Sequence, residues 1–420
     1  MKKTKIFFTG LLISVAAVAL PISSTLAASQ YMDFFKPTPI VGSLSTTAWG
    51  ASVVGPRDQS NGLEDKTLTN YVYWDGGIIK APDGTYHMFG SRWNQVDGHY
   101  AWGSSVAIHA TSSNLYGPYI DQGMLWPNDH DGKGHNVFPL QLKDGRYGIV
   151  ASETLPGTMY IADNLNGPWV KAGNMQIASG PYADKFTMSN VSIMLRPDGK
   201  YEAIQRNGVI AIADSFVGPY VVQGSGPLWN QISGMETTNI EDPVIWYSGG
   251  LYHVIANQWN AGKAFHLTSV DGIKNWKLQP GYAYYPTADF IRYTNSTVNH
   301  YTKLERPSVY KENGHVVAMT FSALDVEKWQ DGGNDKHGSK IIVVPFDGEG
   351  LDSTTSRSAA VAATSSSTVS TASSSVVSAI PASGSSSGGS KGGGSVSIWE
   401  LLCLGALFCA LRTRRLASNN

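Results

Sequence analysis

Polar and charged side chains recur at five places in this 420-residue chain, each time at the start of an extended apolar segment. The recurring position is occupied by Asp75, Asn136, Asn190, Asp242 and Arg306. The position before it is occupied by Trp74, His135, Ser189, Glu241 and Glu305. The two sets supply four carboxylates, which can donate and accept protons, together with an arginine, a histidine and two amides. If the five segments converge, these groups predict a site for acid and base chemistry.

A structural ion-pair network is the alternative interpretation of the same residues. Buried charges destabilise a fold unless they are paired, and Arg306 between Asp242 and Glu305 would meet that requirement. Networks of this kind also occur without catalysis. The two interpretations are compatible, because a paired carboxylate can still take part in a reaction.

The segments that position these residues share a repeat. Each segment runs into a tight glycine turn and out again, at Gly84, Gly145, Gly199, Gly250 and Gly314. Successive glycines are 61, 54, 51 and 64 residues apart, which suits one four-stranded blade with its loops. Gly-Pro-aromatic turns close the first three units, and no stretch inside the repeat region keeps a helical apolar period for three turns. The sequence therefore predicts an all-β, five-bladed β-propeller whose inner strands surround one funnel.

The ends of the chain differ from the repeat region. Residues 1–28 are predicted to be a secretory signal peptide, because three lysines precede an apolar run and small residues follow it. The propeller is expected over residues 29–350. Residues 351–395 are rich in Ser, Thr and Gly, which predicts a disordered linker. Residues 396–420 are predicted to hold a short hydrophobic helix followed by an arginine cluster.

The Gly-Gly sequence, short apolar stretch and arginines of the last segment resemble the C-terminal sorting tail of Gram-negative surface and type II secreted proteins. A rhomboid-type protease trims such tails. An ordinary C-terminal membrane anchor is the alternative, and both place the propeller outside the cytoplasm. We therefore expect an exported protein, secreted or on the cell surface.

Composition excludes several classes of function. The two cysteines, Cys403 and Cys409, lie in the tail, so the propeller is predicted to have neither disulfides nor a thiolate metal site. The net charge is -1, with acidic and basic residues interspersed, which argues against a nucleic-acid partner. The chain has 12 Trp and 20 Tyr, whose flat faces suit sugar rings.

Three segments together resemble the five-bladed glycoside hydrolases of family 43 and the related family 117. They are residues 74–79 (WDGGII), 189–193 (SNVSI) and 240–245 (IEDPVI). The similarity covers about residues 71–345. It implies inverting hydrolysis, in which one carboxylate activates water and a carboxylic acid ~6.5 to 9.5 Å away protonates the leaving oxygen.

The resemblance also implies roles for individual residues. Asp75 matches the general base of these families, and Glu241 matches the acid of family 43. Asn190 stands where family 43 has an aspartate that tunes the pKa of the acid, and Asp242 takes that role if family 117 is the better guide. Family 117 places acidic machinery near Glu305, so the acid is predicted to be Glu241 or Glu305. His300 and His135 are further candidates.

The remaining polar residues near the funnel are predicted to bind substrate: Trp74, His135, Asn136, Asn190, Arg306, Trp93 and Arg206. An arginine fork such as that of Arg206 suits a carboxylate or a sulfate. We expect no cofactor and no zinc site. A structural calcium ion near His135 is a further possibility from related propellers, and a hydrogen-bonded histidine is the alternative.

The leading functional prediction is a monomeric glycoside hydrolase that is exo-acting and inverting. It would remove terminal sugars from oligosaccharides or polysaccharides of plants or algae. A carbohydrate-binding propeller without catalysis is one alternative, favoured by Asn190 and by Leu304 before Glu305. A polysaccharide lyase is another, which would need a base such as His135 or a tyrosine close to an arginine.

Overall fold

The computed structural model describes residues 30–355. The predicted signal peptide, the tail at 396–420 and all but the first residues of the predicted linker lie outside these residues. Contacts divide the chain into units 1–364 and 365–420, and the second lies wholly outside them. No helix between residues 30 and 355 is long and apolar enough to span a membrane.

Antiparallel sheets follow one another along the chain. A two-stranded sheet pairs β1 (Leu44–Ser45) with β2 (Arg57–Asp58). The first blade contains β3 to β6, which are Tyr71–Lys80, Tyr86–Asn94, Val106–Ser112 and Ile120–Met124. The second contains β7 to β10, which are Phe138–Gln141, Tyr147–Ala151, Thr158–Ala162 and Val170–Asn174.

The other three blades repeat this order. The third contains β11 to β14, which are Ser192–Leu195, Tyr201–Ile204, Ile210–Ala213 and Val221–Val222. The fourth contains β15 to β18, which are Ile240–Ser248, Leu251–Gln258, Lys263–Ser269 and Lys277–Leu278. The fifth has three strands, β19 to β21, which are Lys303–Glu312, His315–Leu324 and Ser339–Pro345.

Helices are short and lie between strands or at the two ends of the described residues. One α-helix spans Ala51–Val54. The 3-10 helices are Tyr31–Phe34, Gln95–Asp97, His99–Ser104, His130–Gly132, Ala183–Lys185, Leu228–Gln231 and Lys328–Gln330. Residues 348–355 are also helical.

The inner strands form a closed ring, which confirms the predicted five-bladed β-propeller. β3 contacts β7, β7 contacts β11, β11 contacts β15, β15 contacts β19, and β19 contacts β3. Apolar side chains fill each gap between neighbouring blades, for example Val244 and Ile255 against Leu304 and Phe321 between the fourth and fifth blades. The predicted turn glycines all have positive φ, between 79° and 93°, as a tight hairpin turn requires. Packing between blades therefore holds the ring together.

The N-terminal segment closes the ring at the three-stranded fifth blade. The Leu63 N–H donates to the Ile341 oxygen over 2.9 Å, and the Ile341 N–H donates back over 3.0 Å. At the other end, Ser248 donates to Asp352 over 2.8 Å, and Leu351 is buried. The helix at 348–355 thus packs on the propeller and extends across the predicted boundary at residue 350.

Candidate active site

The five recurring polar residues share one backbone conformation. Their φ angles are all positive, at 75°, 51°, 49°, 52° and 48° for Asp75, Asn136, Asn190, Asp242 and Arg306. Strand pairing shifts register at this point in the first, fourth and fifth blades, and a bulge of this kind redirects a side chain. Asp and Asn tolerate the left-handed region, whereas an arginine there is strained. The repeat therefore places one redirected side chain in each blade.

Four of these side chains meet at the centre of the ring. Arg306 Nε donates to Asp75 Oδ1 over 2.9 Å, and Arg306 Nη1 donates to Asp242 Oδ1 over 3.4 Å. Asn190 Nδ2 donates to the same Asp242 oxygen over 2.9 Å. Arg306 therefore bridges Asp75 and Asp242, whereas the ion-pair interpretation of the sequence expected Asp242 and Glu305. We call these four residues the central network.

Asp75 is enclosed within this network. Its Oδ2 atom accepts hydrogen bonds from Ser91 Oγ at 2.5 Å and from the Val137 N–H at 3.1 Å. The residue is 3% exposed. With Arg306 on the other oxygen, both carboxylate oxygens have strong partners, so the structure places Asp75 in a buried ion pair.

A small cavity of about 160 Å³, the central cavity, is lined by most of the predicted site residues. They are Trp74, His135, Asn136, Asn190, Arg206, Glu241, Asp242 and Glu305. Asp75, Arg306 and Trp93 do not line it. Trp93 lies behind the lining, where its Nε1 donates to the Gly98 oxygen over 3.0 Å and its ring packs on His135. The sequence therefore predicted most of the residues that line the cavity, whereas Asp75, Arg306 and Trp93 lie behind the lining.

Glu241 is the carboxyl group in this cavity best suited to hold a proton. Burial, followed by the charges of Asp242 and Glu305, raises the pKa of Glu241 to about 8. Arg206 lies 3.2 Å from one Glu241 oxygen and opposes this effect. At neutral pH the Glu241 carboxyl is therefore largely protonated and can donate to a bound ligand.

Glu305 is placed differently, although it belongs to the same acidic group. It is buried, and its Oε2 lies 2.5 Å from the Lys328 ammonium. Its Oε1 has no hydrogen-bond partner within residues 30–355. Burial raises the pKa of Glu305, and the Lys328 ammonium opposes that rise. The charge of Glu305 in turn favours the protonated form of Glu241.

One oxygen from each of Glu241, Asp242 and Glu305 lies within 4.8 Å of the others, a spacing that a cation can bridge. Lys328 already provides a positive charge at this point. Calcium takes about six to eight oxygen ligands, whereas the predicted calcium residue, His135, offers a nitrogen next to Ser105 at 3.0 Å. These residues therefore do not fit a calcium site.

Glu153 lines the cavity but is absent from the repeated positions. Its Oε1 accepts from Ser189 Oγ at 2.5 Å and from the Asn190 N–H at 3.0 Å. Its Oε2 accepts from Asn136 Nδ2 at 2.7 Å. Burial raises the pKa of Glu153, against the hydrogen bond from Ser189. Asn136 and Asn190 therefore hold the Glu153 carboxylate in position, in addition to lining the cavity.

The histidines do not supply an acid at neutral pH. Burial, with the charges of Arg306 and Lys328, lowers the pKa of His135 to about 3. His99 also lines the cavity, and burial lowers its pKa well below the ordinary value. His300 lies outside this cavity and pairs with Asp289 at 2.8 Å. The imidazoles of His135 and His99 are therefore neutral groups.

The cavity mouth carries two exposed aromatic rings. Tyr100 and Trp102 lie on the 3-10 helix His99–Ser104, are 58% and 36% exposed, and line the cavity. Lys328 reaches the cavity from the helix Lys328–Gln330. Both helices are insertions between strands, so the repeat pattern gave no indication of them. An aromatic mouth above a polar cavity suits a sugar ring.

No protein-family model matches the sequence, and no curated protein matches it with significance. Solved structures do share the fold. A family 117 glycoside hydrolase from the marine bacterium Zobellia galactanivorans is 15% identical over 69% of this chain and 88% of its own, with a TM-score of 0.47. Family 117 is one of the two families that the sequence motifs resemble.

A family 43 β-xylosidase/α-arabinofuranosidase from a compost metagenome is 13% identical over 68% of this chain and 94% of its own, with a TM-score of 0.45. An endo-arabinase from Bacteroides thetaiotaomicron is 12% identical over 69% of this chain and 98% of its own, with a TM-score of 0.42. At these identities the likeness is one of fold.

Proposed function

We propose that the protein is an inverting glycoside hydrolase in which Glu241 is the general acid. The observation that carries the proposal is the position of Glu241 on the wall of a cavity that Glu153, Asp242 and Glu305 also line. Burial and the charges of Asp242 and Glu305 raise the pKa of Glu241 to about 8. Such a group protonates the glycosidic oxygen as the bond to the leaving sugar breaks. Asp242 and Glu305 lie too close to Glu241 for the inverting geometry, within 4.8 Å, and act by keeping it protonated.

Two carboxylates remain as the base that activates water. Glu153 comes from the second blade and lines the central cavity, with its oxygens held by Asn136, Ser189 and Asn190. Asp75 is the base that the family resemblance implies. It lies beneath the cavity in its ion pair with Arg306. We assign the base to Glu153, because a base must reach the water that it deprotonates.

We propose exo action on a terminal sugar. The central network closes the inner end of the cavity, and the volume of about 160 Å³ suits one ring better than a chain. The composition of residues 1–28 supports action outside the cytoplasm. The resemblance of residues 74–79, 189–193 and 240–245 to families 43 and 117 supports polysaccharide fragments of plant or algal origin as substrates. Arabinan, xylan, agar and carrageenan fragments are therefore the first substrates to test.

The test is a screen of the full-length protein against these four oligosaccharide classes, with Glu241→Gln as the control. Proton NMR of the first product formed reports its anomeric configuration, and the proposal predicts inversion. Release of unsaturated products, seen as ultraviolet absorbance, would identify a lyase instead. Binding of an oligosaccharide without turnover would identify a carbohydrate-binding propeller.

A further inference from the structure

A second and larger cavity, of about 530 Å³, lies between the fourth and fifth blades. Two half-buried tyrosines, Tyr282 and Tyr285, form part of its lining. The cavity lies within the size range of sites that bind small molecules, about 300 to 1,000 Å³. We call it the side cavity.

The side cavity opens at the same end of the propeller as the central cavity. Gln258 pairs with Ile240 on one side and with Lys263 on the other, so the turn that lines the side cavity lies beside the start of β15, where Glu241 stands. Glu327 lines the side cavity and the next residue, Lys328, lines the central one. The two cavities therefore have neighbouring linings.

Lys303, Trp259 and Glu327 lie next to the linings of the two cavities in sequence or in contact, and we call these three residues the ridge. Lys303 Nζ donates to the Trp259 oxygen over 3.0 Å and lies 2.9 Å from Glu327 Oε2. Trp259 is partly exposed at this ridge. A flexible chain of sugars can cross such a ridge, whereas a single small molecule would occupy one cavity only.

The chemistry of the side cavity favours a neutral sugar. The Tyr282 and Tyr285 rings meet edge to face, with centroids 6.0 Å apart, and Lys263 donates to the Tyr282 hydroxyl over 3.1 Å. Fixed aromatic faces with polar groups beside them match the apolar face and hydroxyls of a sugar ring. The basic side chains at the rim already have acidic partners, Lys263 with Glu236 at 2.5 Å and His300 with Asp289 at 2.8 Å. No unpaired positive charge on this rim, within residues 30–355, is available to recruit an anion.

We propose that the side cavity binds the sugars that follow the cleaved residue in a neutral oligosaccharide. The terminal sugar enters the central cavity, and the rest of the chain crosses the ridge and stacks on Tyr285. This inference rests on the proposed function, which places the terminal sugar of the oligosaccharide in the central cavity. It names the substrate class as an oligosaccharide rather than a glycoside of one sugar.

Direct binding tests the proposal without turnover. In the full-length Glu241→Gln protein, calorimetry measures the Kd of xylohexaose, arabinohexaose and neoagarohexaose, and of the matching disaccharides. For the hexasaccharide that binds, Tyr285→Ala is expected to raise Kd about threefold to tenfold, the contribution of one stacked ring. Tyr285→Phe keeps the ring and should leave Kd near that of the parent. The disaccharide Kd should be unchanged in both variants.

Tyr182→Ala is the matched control, since Tyr182 is an exposed tyrosine in the connection between the second and third blades. Equal hexasaccharide affinity in Tyr285→Ala and its parent, or no binding of any hexasaccharide, overturns the side-cavity proposal. If the wild type hydrolyses hexasaccharides and disaccharides with the same kcat/KM, the proposed function stands and this inference is rejected. Tighter hexasaccharide binding that depends on Tyr285, without hydrolysis, rejects the enzyme and keeps the binding site.

Discussion

Arg306 from the fifth blade and Asp75 from the first are joined by a hydrogen-bonded ion pair of 2.9 Å that closes the ring beneath the central cavity. Both side chains are almost fully buried. Without the Asp75 charge, the buried Arg306 guanidinium keeps only Asp242, at 3.4 Å, as an acidic partner, and weakening the pairing of a buried charge destabilises a fold. The pair therefore ties the stability of the propeller to the residues that support its site.

We expect Asp75→Asn to destabilise the protein by about 3 to 5 kcal/mol, as for other broken buried ion pairs. Urea denaturation measures the change in the free energy of unfolding. Asp144→Asn is the matched control, because Asp144 pairs with Arg146 at 2.8 Å while both side chains are about half exposed, and such pairs contribute about 0 to 1 kcal/mol. Equal effects of the two substitutions would show that the buried pair has no special role.

Glu241→Gln is expected to change how stability depends on pH. The folded-state pKa of Glu241 is about 8, above the ordinary glutamate value of 4.5. Folding is therefore favoured while this carboxyl is protonated, and stability is lost as the pH rises from about 4.5 through about 8. The variant lacks this loss, so its Tm should exceed that of the wild type at the alkaline end of the window and match it at the acid end.

The control for that experiment is Glu236→Gln. Glu236 is exposed and pairs with Lys263, whose hydrogen bond lowers the pKa of Glu236. This substitution should give no gain in Tm at alkaline pH. Parallel Tm curves for Glu241→Gln and the wild type would contradict the raised pKa of Glu241.

Arg206→Gln is expected to move the alkaline limb of the activity profile to higher pH. A general acid works while protonated, so kcat/KM of the wild type should fall as the pH rises through about 8. Arg206 lies 3.2 Å from Glu241 and opposes the rise in its pKa, so removing the guanidinium raises that pKa further. Arg206→Lys should restore the wild-type midpoint, and Arg146→Gln, at an exposed pair elsewhere, should not move it. An unchanged midpoint in Arg206→Gln would show that titration of Glu241 does not cause the alkaline fall in kcat/KM.

Glu153→Gln is expected to lower kcat by about 10²- to 10⁴-fold, the usual contribution of a general base. Azide or formate added to the variant should restore part of the activity, because a small anion can replace the activated water. Asp75→Asn should show no rescue, since both Asp75 oxygens are enclosed by Arg306, Ser91 and Val137. Rescue of Asp75→Asn and not of Glu153→Gln would return the role of base to Asp75.

The repeat made the fold and much of the cavity predictable from sequence. Turn glycines and left-handed Asp and Asn residues are local requirements of a blade, so their spacing shows in one sequence. Glu153 is different, because it follows the second strand of its blade, and only the contacts of Asn136 and Asn190 with it reveal its place. The mouth residues Tyr100 and Lys328 lie on insertions outside the repeat, so their position depends on packing between loops.

The sequence also does not predict which of the converging side chains line the cavity. Asp75 and Asp242 occupy equivalent positions, yet one lies beneath the cavity and the other lines it. Arg306 contacts both carboxylates, through Nε to Asp75 and through Nη1 to Asp242. A pattern identifies which residues converge, whereas the pairs that form among them depend on distances that it does not contain.

The leaving-group dependence of Glu241→Gln tests the central claim most directly. The measurement is kcat/KM of the wild type and the variant on a natural oligosaccharide and on a dinitrophenyl glycoside of the same sugar. Loss of about 10²- to 10⁴-fold on the oligosaccharide, with little loss on the aryl glycoside, is predicted, because a good leaving group needs no proton. Equal loss on both substrates would contradict the assignment of Glu241 as the general acid.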